Sequence, residues 1–387
     1  MNPFRLKSLT PRLYRVPLDQ PVVTSFGTMR ARWVLWVCVE DVDGLIGWGE
    51  VWCNFPDSGA QHRCRLLQEV FAPLVPSLQG DHPVTLSAEV ASRIRILRLQ
   101  SAEYGPLDQC AAGLDTAIWD LQAQRLGQPL HRVLRAELID QIKPDVSQAP
   151  RIRVYASGIN PKGAGKTMQQ AAQEGHRAFK VKLGFGYDQD LRTLQEVREI
   201  DGGAWLAADA NQAWNRDEAI ALMPHLAPFD LAWLEEPIAA DATSEDWQAL
   251  AAQAPMPLAA GENINHLSAF KVALRQWGLG VMQPDLAKWG GFTGCLEVVR
   301  QCRALDVLYC PHFLGGGIGL LSSAHLLAAS DQAGLLEMDV NPNPLRTEIL
   351  AGALVPKEGW VTLSDSPGLG QAHNMSAIKS WIHPLPS

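Results

Sequence analysis

The rhythm of apolar and polar positions changes near residue 145. Before it, TPRLYRVPL (10–18) and WVLWVCVEDVDGLIGWGEVW (33–52) are rich in β-branched and aromatic residues and read as strands turned at Asp43 and Gly44. A helical rhythm sets in from about Gln61, and GLDTAIWDLQAQRLG (113–127) closes on a Gly-Gln-Pro stop. This pattern predicts an α+β domain over residues 1–135. After Pro144, short apolar runs alternate with helix-length amphipathic stretches, the signature of repeated βα units. The runs are RIRVYASG, AFKVKLG, WLAADAN, LAWLEEP, PLAAGEN, GVMQPD, VLYCPH and GLLEMDV. Eight repeats predict a closed (β/α)8 barrel of TIM type over residues 145–355, capped by the first domain. The last stretch, 356–387, is expected to return to the cap rather than extend the barrel.

Polar residues stand at the C-terminal ends of these runs: Lys182, Asp209, Glu235, Glu262, Asp285, His312 and Glu337, spaced by 27, 26, 27, 23, 27 and 25 residues. One βα unit separates each from the next, and in such a barrel these strand ends converge on a single rim. The spacing therefore predicts a site. Asp209, Glu235 and Glu262 end three consecutive strands and offer an arc of carboxylate oxygens, the donor type a hard divalent cation prefers. A solvated rim could carry any one of these acids; three in register are harder to explain that way, because buried charges are rarely left unpaired. Lys180 and Lys182 lie two apart on a strand and share a face. Their mutual repulsion would favour a neutral, basic amine on Lys182. An alternating lysine pair is also an ordinary exposed strand face. Asp285 and His312 end neighbouring strands, so the carboxylate can orient the imidazole as a second acid or base.

Composition narrows the partners. Among 387 residues, 47% hydrophobic and 19% charged gives a globular balance, and the net charge of -8 with no basic run argues against nucleic acid or an anionic membrane surface. No secretory leader or membrane-length apolar window is visible, which predicts a cytoplasmic protein. Seven cysteines without CxxC spacing read as reduced thiols. PKGAGKT (161–167) resembles a phosphate loop but has Asn160 where glycine is required, and GGGIGL (315–320) does not satisfy GxGxxG.

The order KxK, DAN, EEP, GEN, PDxxKxGG, PH, LE, with GWGE and LDTAIWDL before it and PGLG after it, resembles the enolase superfamily and, within it, the mandelate racemase group. The resemblance covers nearly the whole chain. It implies one Mg²⁺ per active site held by Asp209, Glu235 and Glu262, with Lys182 as base and Lys180 beside it. It also implies a second catalytic pair, Asp285 with His312, and a protonated Glu337 donating to the substrate carboxylate. Asn211 is similar to a position that touches substrate, and Glu236 to one that supports the site. The lysine of the muconate-cycloisomerase branch is replaced by Asp285.

The implied reaction is removal of the proton beside a carboxylate, leading to dehydration of a sugar acid or other hydroxy acid. Racemisation, epimerisation or sugar-lactone cycloisomerisation would use the same two bases. A catalytically silent binding barrel is the reading from another class, and a metal hydrolase barrel would want an early HxH pair that is absent. Around the rim, Trp52 and Trp289 are expected near the site, and Arg30 and Arg32 are candidates to hold a distal substrate group. The cap loops 21–32 and 52–58 are expected to set the outcome. The partner is expected to be a small carboxylate, and the assembly a homo-oligomer.

Overall fold

In the computed structural model, which describes residues 3–23, 27–139, 149–370 and 378–385, the first apolar runs form an antiparallel sheet. Its strands are β1 (Leu6–Val23), β2 (Thr28–Asp41) and β3 (Ile46–Val51), in that spatial order. The turn between β2 and β3 is fixed by Asp41, whose Oδ1 accepts from the amides of Asp43 and Leu45 at 2.9 and 3.0 Å. Gly44 takes φ +87°, a conformation that glycine adopts without strain. A helical run carries α1 (Gly59–Leu66) and α2 (Ala72–Leu74), followed by α3 (Pro83–Ser101), α4 (Tyr104–Arg125) and α5 (Leu130–Leu138). Helix α4 lies directly on β3. A Cβ at Gly49 would run into the carbonyl of Gly113, so this approach depends on glycine. Leu35, Val37, Phe71, Val90, Leu114 and Ile118 fill the cap core.

The predicted joint near residue 145 falls outside the described residues. Beyond it come β4 (Arg151–Ile159), α6 (Ala164–Gln173), β5 (Ala178–Lys182), α7 (Tyr187–Ile200), β6 (Trp205–Asp209) and α8 (Arg216–Leu226). The series continues with β7 (Leu234–Glu235), α9 (Ser244–Ala251), β8 (Leu258–Ala260), α10 (Leu267–Gln276), β9 (Leu279–Met282) and α11 (Gly291–Leu305). It ends with β10 (Leu308–Tyr309), α12 (Gly317–Ser330), β11 (Leu335–Asp339) and α13 (Pro344–Leu350). Strands β4 to β10 pair parallel in chain order, and β11 pairs with β4, so the sheet curls into a barrel. Its seam lies between β10 and β11, where the Leu335 amide donates to Cys310 Sγ at 3.4 Å.

Helix α12 is buried on nearly every side, because it lies between the barrel and the cap. This explains why it carries no Asp, Glu, Lys or Arg on any face. The seven cysteines are free and buried.

The final stretch departs from expectation. Trp360–Thr362 (β12) pairs antiparallel with β4 and so does extend the barrel sheet. Val361 faces inward there and supplies the apolar contact that keeps it. The chain then reaches the cap: Leu369 donates to Asp120 Oδ1 at 2.8 Å, and His383 to the Leu13 carbonyl at 2.8 Å.

Candidate active site

Parallel register assembles the centre. Lys182, Asp209 and Glu235 are the last residues of β5, β6 and β7, and the ladder pairs Lys182 with Asp209 and Asp209 with Glu235. Glu262, Asp285 and His312 follow the ends of β8, β9 and β10 by two or three residues, and Glu337 lies within β11. Lys182 Nζ meets Asp209 Oδ2 at 2.5 Å and Asn211 Oδ1 at 3.1 Å. Below it, Lys180 is fully buried, 2.6 Å from Glu235 and 2.9 Å from Glu337, above the ring of Tyr155. His312 Nδ1 bonds Asp285 Oδ2 at 2.8 Å, while its Nε2 meets Glu262 Oε2. The aspartate thereby fixes one ring nitrogen and turns the other toward the cleft.

The surrounding charges bias two protonation states. Burial lowers the Lys182 pKa and Lys180 opposes its charge, yet Asp209, with Glu235 and Glu262, outweighs both and holds the amine above its usual value. Lys182 is thus an ammonium here, because carboxylates outnumber ammonium groups around it. Glu337 was expected protonated. Burial raises its pKa, but Lys180 and His312 reverse that and bring it down to about 2, which favours the carboxylate while no cation occupies the rim.

The donor set fits a divalent cation. Asp209, Glu235 and Glu262 bring only oxygen ligands, and Glu235 Oε1 is buried without a hydrogen-bond partner. Its sister Oε2 already accepts from Lys180 and from Gln283 at 2.7 Å. Among the described residues no three ligating side chains form a ready-made metal cluster; each carboxylate is ion-paired instead, Asp209 with Lys182, Glu235 with Lys180, and Glu262 with Lys288 and His312.

The rim opens into a cleft of about 80 Å³ between the domains. Lys182, Asn211, Glu262, Lys288, His312 and Glu337 line it from the barrel. Val22, Met29, Trp52 and Phe55 line it from the cap, with Leu314 closing a corner. Trp52 is on this wall, with Lys288 Nζ 5.0 Å from its ring. Arg32 also reaches the wall, buried against Asp339 at 2.9 Å. Arg30 does not: it is exposed, although alternation alone would give it the same face as Arg32 two residues on. Trp289 packs on Phe270 and lines a separate cavity between α3, α4 and α11. Glu236 sits under the rim with both oxygens bonded to Asn263, and is no part of the cleft wall.

Two family models match the chain: the mandelate racemase / muconate lactonizing enzyme N-terminal domain over residues 9–134, and the enolase C-terminal domain-like model over 164–377. The chain belongs to the mandelate racemase/muconate lactonizing enzyme family of the enolase superfamily. Among relatives of this family member is a D-galactarolactone cycloisomerase of Agrobacterium fabrum, 28% identical over 95% of this chain and 96% of that protein. Another is a D-galactonate dehydratase of Pectobacterium atrosepticum, 26% identical over 92% of this chain and 93% of the other. The crystal structure of a mandelate racemase/muconate lactonizing enzyme from Bordetella bronchiseptica superposes with a TM-score of 0.88 at 44% identity, covering 98% and 99% of the two chains. An enolase from Bradyrhizobium, crystallised with magnesium and mandelic acid, superposes at 0.81 with 26% identity over 99% and 100%.

The sequence reading missed several residues of this family member's site. Lys288 stood inside the quoted PDxxKxGG motif, three residues past Asp285, and was given no role; it pairs with Glu262 at 3.2 Å. Gln283, two before Asp285, carried the same positional signal. Glu50 of the GWGE motif is buried and accepts from the Gly316 and Gly319 amides at 2.5 and 2.9 Å. That link between cap and barrel has no signature in local spacing.

Proposed function

We propose that the protein is a magnesium-dependent enzyme that removes the proton α to a carboxylate, and that its reaction is dehydration of a sugar acid or related hydroxy acid. The observation that carries this reading is one cleft into which Lys182 and His312 face from non-adjacent strands, next to three carboxylates of which one oxygen lacks a partner. Family membership and the sugar-acid relatives support it. A cation bound by Asp209, Glu235 and Glu262 would supply the positive charge that stabilises the enediolate formed when the α-proton leaves.

The chain's own groups do the rest. Lys182, in the neutral amine form it can reach once Asp209, Glu235 and Glu262 are given over to a cation, or His312 takes the α-proton, and the electrons of the broken C–H bond pass to the carboxylate. Lys180 adds positive charge beneath the cleft floor. The β C–O bond then breaks, and its hydroxide leaves as water with a proton from His312 Nε2, which Asp285 keeps aimed. The enol left behind becomes a 2-keto-3-deoxy acid. The roles of Lys182 and His312 rest on their positions in the cleft.

Racemisation or lactone cycloisomerisation is the second reading, because two bases on separate arms of the rim serve it equally and one relative is a cycloisomerase. A binding-only barrel would leave this buried charge cluster without a use. The deciding experiment is mass spectrometry of sugar acids, hydroxy acids and lactones incubated with enzyme and magnesium in heavy water. Loss of water from one acid establishes dehydration. Deuterium uptake without water loss favours racemisation or epimerisation, and no change across the panel overturns the reading.

A further inference from the structure

The three carboxylates of the rim are not engaged alike. Glu235 meets Lys180 through Oε2 and keeps Oε1 without a partner. Asp209 meets Lys182 through Oδ2, while its Oδ1 accepts from the neutral Asn211, at 2.8 Å from the amide and 2.6 Å from the side chain. Glu262, of the three, has a basic side chain on each oxygen: Lys288 Nζ stands 3.2 Å from Oε1, and His312 Nε2 meets Oε2. Oε1 also accepts from Asn263 Nδ2 at 3.0 Å, which uses both of its lone pairs. A divalent cation that takes Glu262 therefore finds it occupied, and one basic group has to give way.

The two groups differ in their freedom to move. His312 is a short, rigid side chain, and Asp285 holds its other ring nitrogen at 2.8 Å. Lys288 is a flexible four-carbon stem on a fixed turn. Asp285 Oδ1 accepts from the amides of Ala287 and Lys288 at 2.8 and 3.2 Å, and the Trp52 amide of the cap donates to the Ala287 carbonyl at 3.3 Å. The Lys288 ammonium also has another seat within reach. Asn263 Oδ1 lies 3.1 Å from it, and the Trp52 ring lies 5.0 Å from it, within the range of a cation–π contact.

We propose that Lys288 is a tethered competitor for the divalent cation: its ammonium holds Glu262 until the cation takes that carboxylate, and then rests on Trp52 and Asn263. This rests on the reading of Asp209, Glu235 and Glu262 as cation ligands. Lys288 is a positioning residue that acts through Glu262, and it makes a cap side chain part of the cation site. Two effects oppose each other when its charge is removed. Glu262 loses a brace that orders it, which weakens cation binding modestly. A like charge also leaves the buried rim, which strengthens binding by more, because Coulomb interactions grow where water is excluded. The net effect is tighter binding, the opposite of what loss of a merely structural group gives.

The test reads affinity for magnesium alone, from magnesium-dependent thermal shifts and from titration calorimetry, in the wild type, Lys288→Met, Lys288→Arg, Trp52→Leu and the double variant Lys288→Met, Trp52→Leu. Lys288→Met binds magnesium about tenfold tighter than the wild type. Lys288→Arg, which keeps the charge and can stack on the ring, stays within about threefold of it. Trp52→Leu removes the alternative seat and binds about threefold more weakly, and the double variant binds as Lys288→Met does. Unchanged or weaker binding in Lys288→Met, or an equal gain in Lys288→Arg, would overturn the proposal. So would an unchanged affinity in Trp52→Leu, or a Trp52→Leu loss that persists in the double variant. Because Trp52→Leu keeps every rim charge, it reads the coupling even where Lys288→Met does not fold. A wild type that ignores magnesium would sink the ligand reading and the proposal together, whereas a responsive wild type with an indifferent Lys288→Met would sink the proposal and leave the ligand reading standing.

Discussion

The two walls of the cleft are built by different rules. The barrel wall comes from one parallel sheet, so its charged groups arrive in fixed register, one per strand end. The cap wall comes from the far end of the β1–β2 hairpin and from residues after β3, and most of it is apolar: Val22, Met29, Trp52 and Phe55. Chemistry needs geometry held within fractions of an ångström, and a sheet provides it. Selectivity needs a surface that can change without disturbing the chemistry, and loops on a separate domain provide that. In the proposed function, the barrel wall would set the reaction class and the cap wall would choose the acid.

The largest effects should follow damage to the barrel wall. Lys182→Ala and His312→Asn should each lower turnover by about 10³-fold or more, with thermal stability and circular dichroism kept. Full activity in either variant would remove that group from the chemistry. Glu235→Gln should next abolish the rise in melting temperature produced by magnesium, since it exchanges a charged oxygen ligand for a neutral amide. A magnesium shift equal to wild type would mean that the cation binds elsewhere.

What the sequence made legible follows the same division. Strand-end spacing located Lys182, Asp209, Glu235, Glu262, Asp285, His312 and Glu337, because a βα repeat converts distance along the chain into position on a rim. It did not reveal their protonation. The downward push on the Glu337 pKa depends on Lys180 reaching it past β4 at 2.9 Å, a contact between β5 and β11 that no local pattern records. On the cap wall the arginines were recognised as a pair, yet only packing showed that Arg32 turns in and Arg30 out. Trp289 was misplaced for a related reason: it follows Asp285 closely, but the turn after β9 carries it behind the rim, onto Phe270. The final strand β12 was missed because three residues pairing with the first barrel strand leave little periodicity to read.

Between the walls, acid should separate the domains before it unfolds the chemistry. His325 of α12 accepts from the His131 amide at 3.0 Å through Nδ1 and lies 3.2 Å from the Leu369 carbonyl through Nε2, so the neutral Nε2–H form satisfies both. Burial lowers the His325 pKa to about 3 and that of the stacked His131 to about 4. Both folded values lie below the unfolded one, so the stability they protect is complete above about pH 6.5 and is lost as pH falls toward 4. By pH 5 each should cost about 2 kcal/mol. The double variant His131→Leu, His325→Gln should flatten urea-unfolding stability between pH 6.5 and 4.5. An unaltered acid slope would assign the loss to other groups.

The smallest effect, and the one that bears most directly on the division, is expected at Glu50. It belongs to the cap, yet its carboxylate holds the amides of Gly316 and Gly319 and the indole of Trp36, and so pins the glycine-rich segment that follows His312. Asn54 of the cap adds a bond to the Leu314 carbonyl at 2.6 Å. If the walls were independent, changing Glu50 would affect stability alone. Glu50→Gln places an amide N–H against a backbone N–H and should cost about 1–2 kcal/mol of stability. The glycines let the segment approach the cap but give it little stiffness of its own. The loosened loop should therefore reduce turnover about three- to tenfold through His312, while the magnesium shift, set by β6, β7 and β8, stays at its wild-type value. Equal losses in both readouts would mean that Glu50 supports the whole rim, and unchanged turnover would mean that the cap chooses the acid without touching the chemistry.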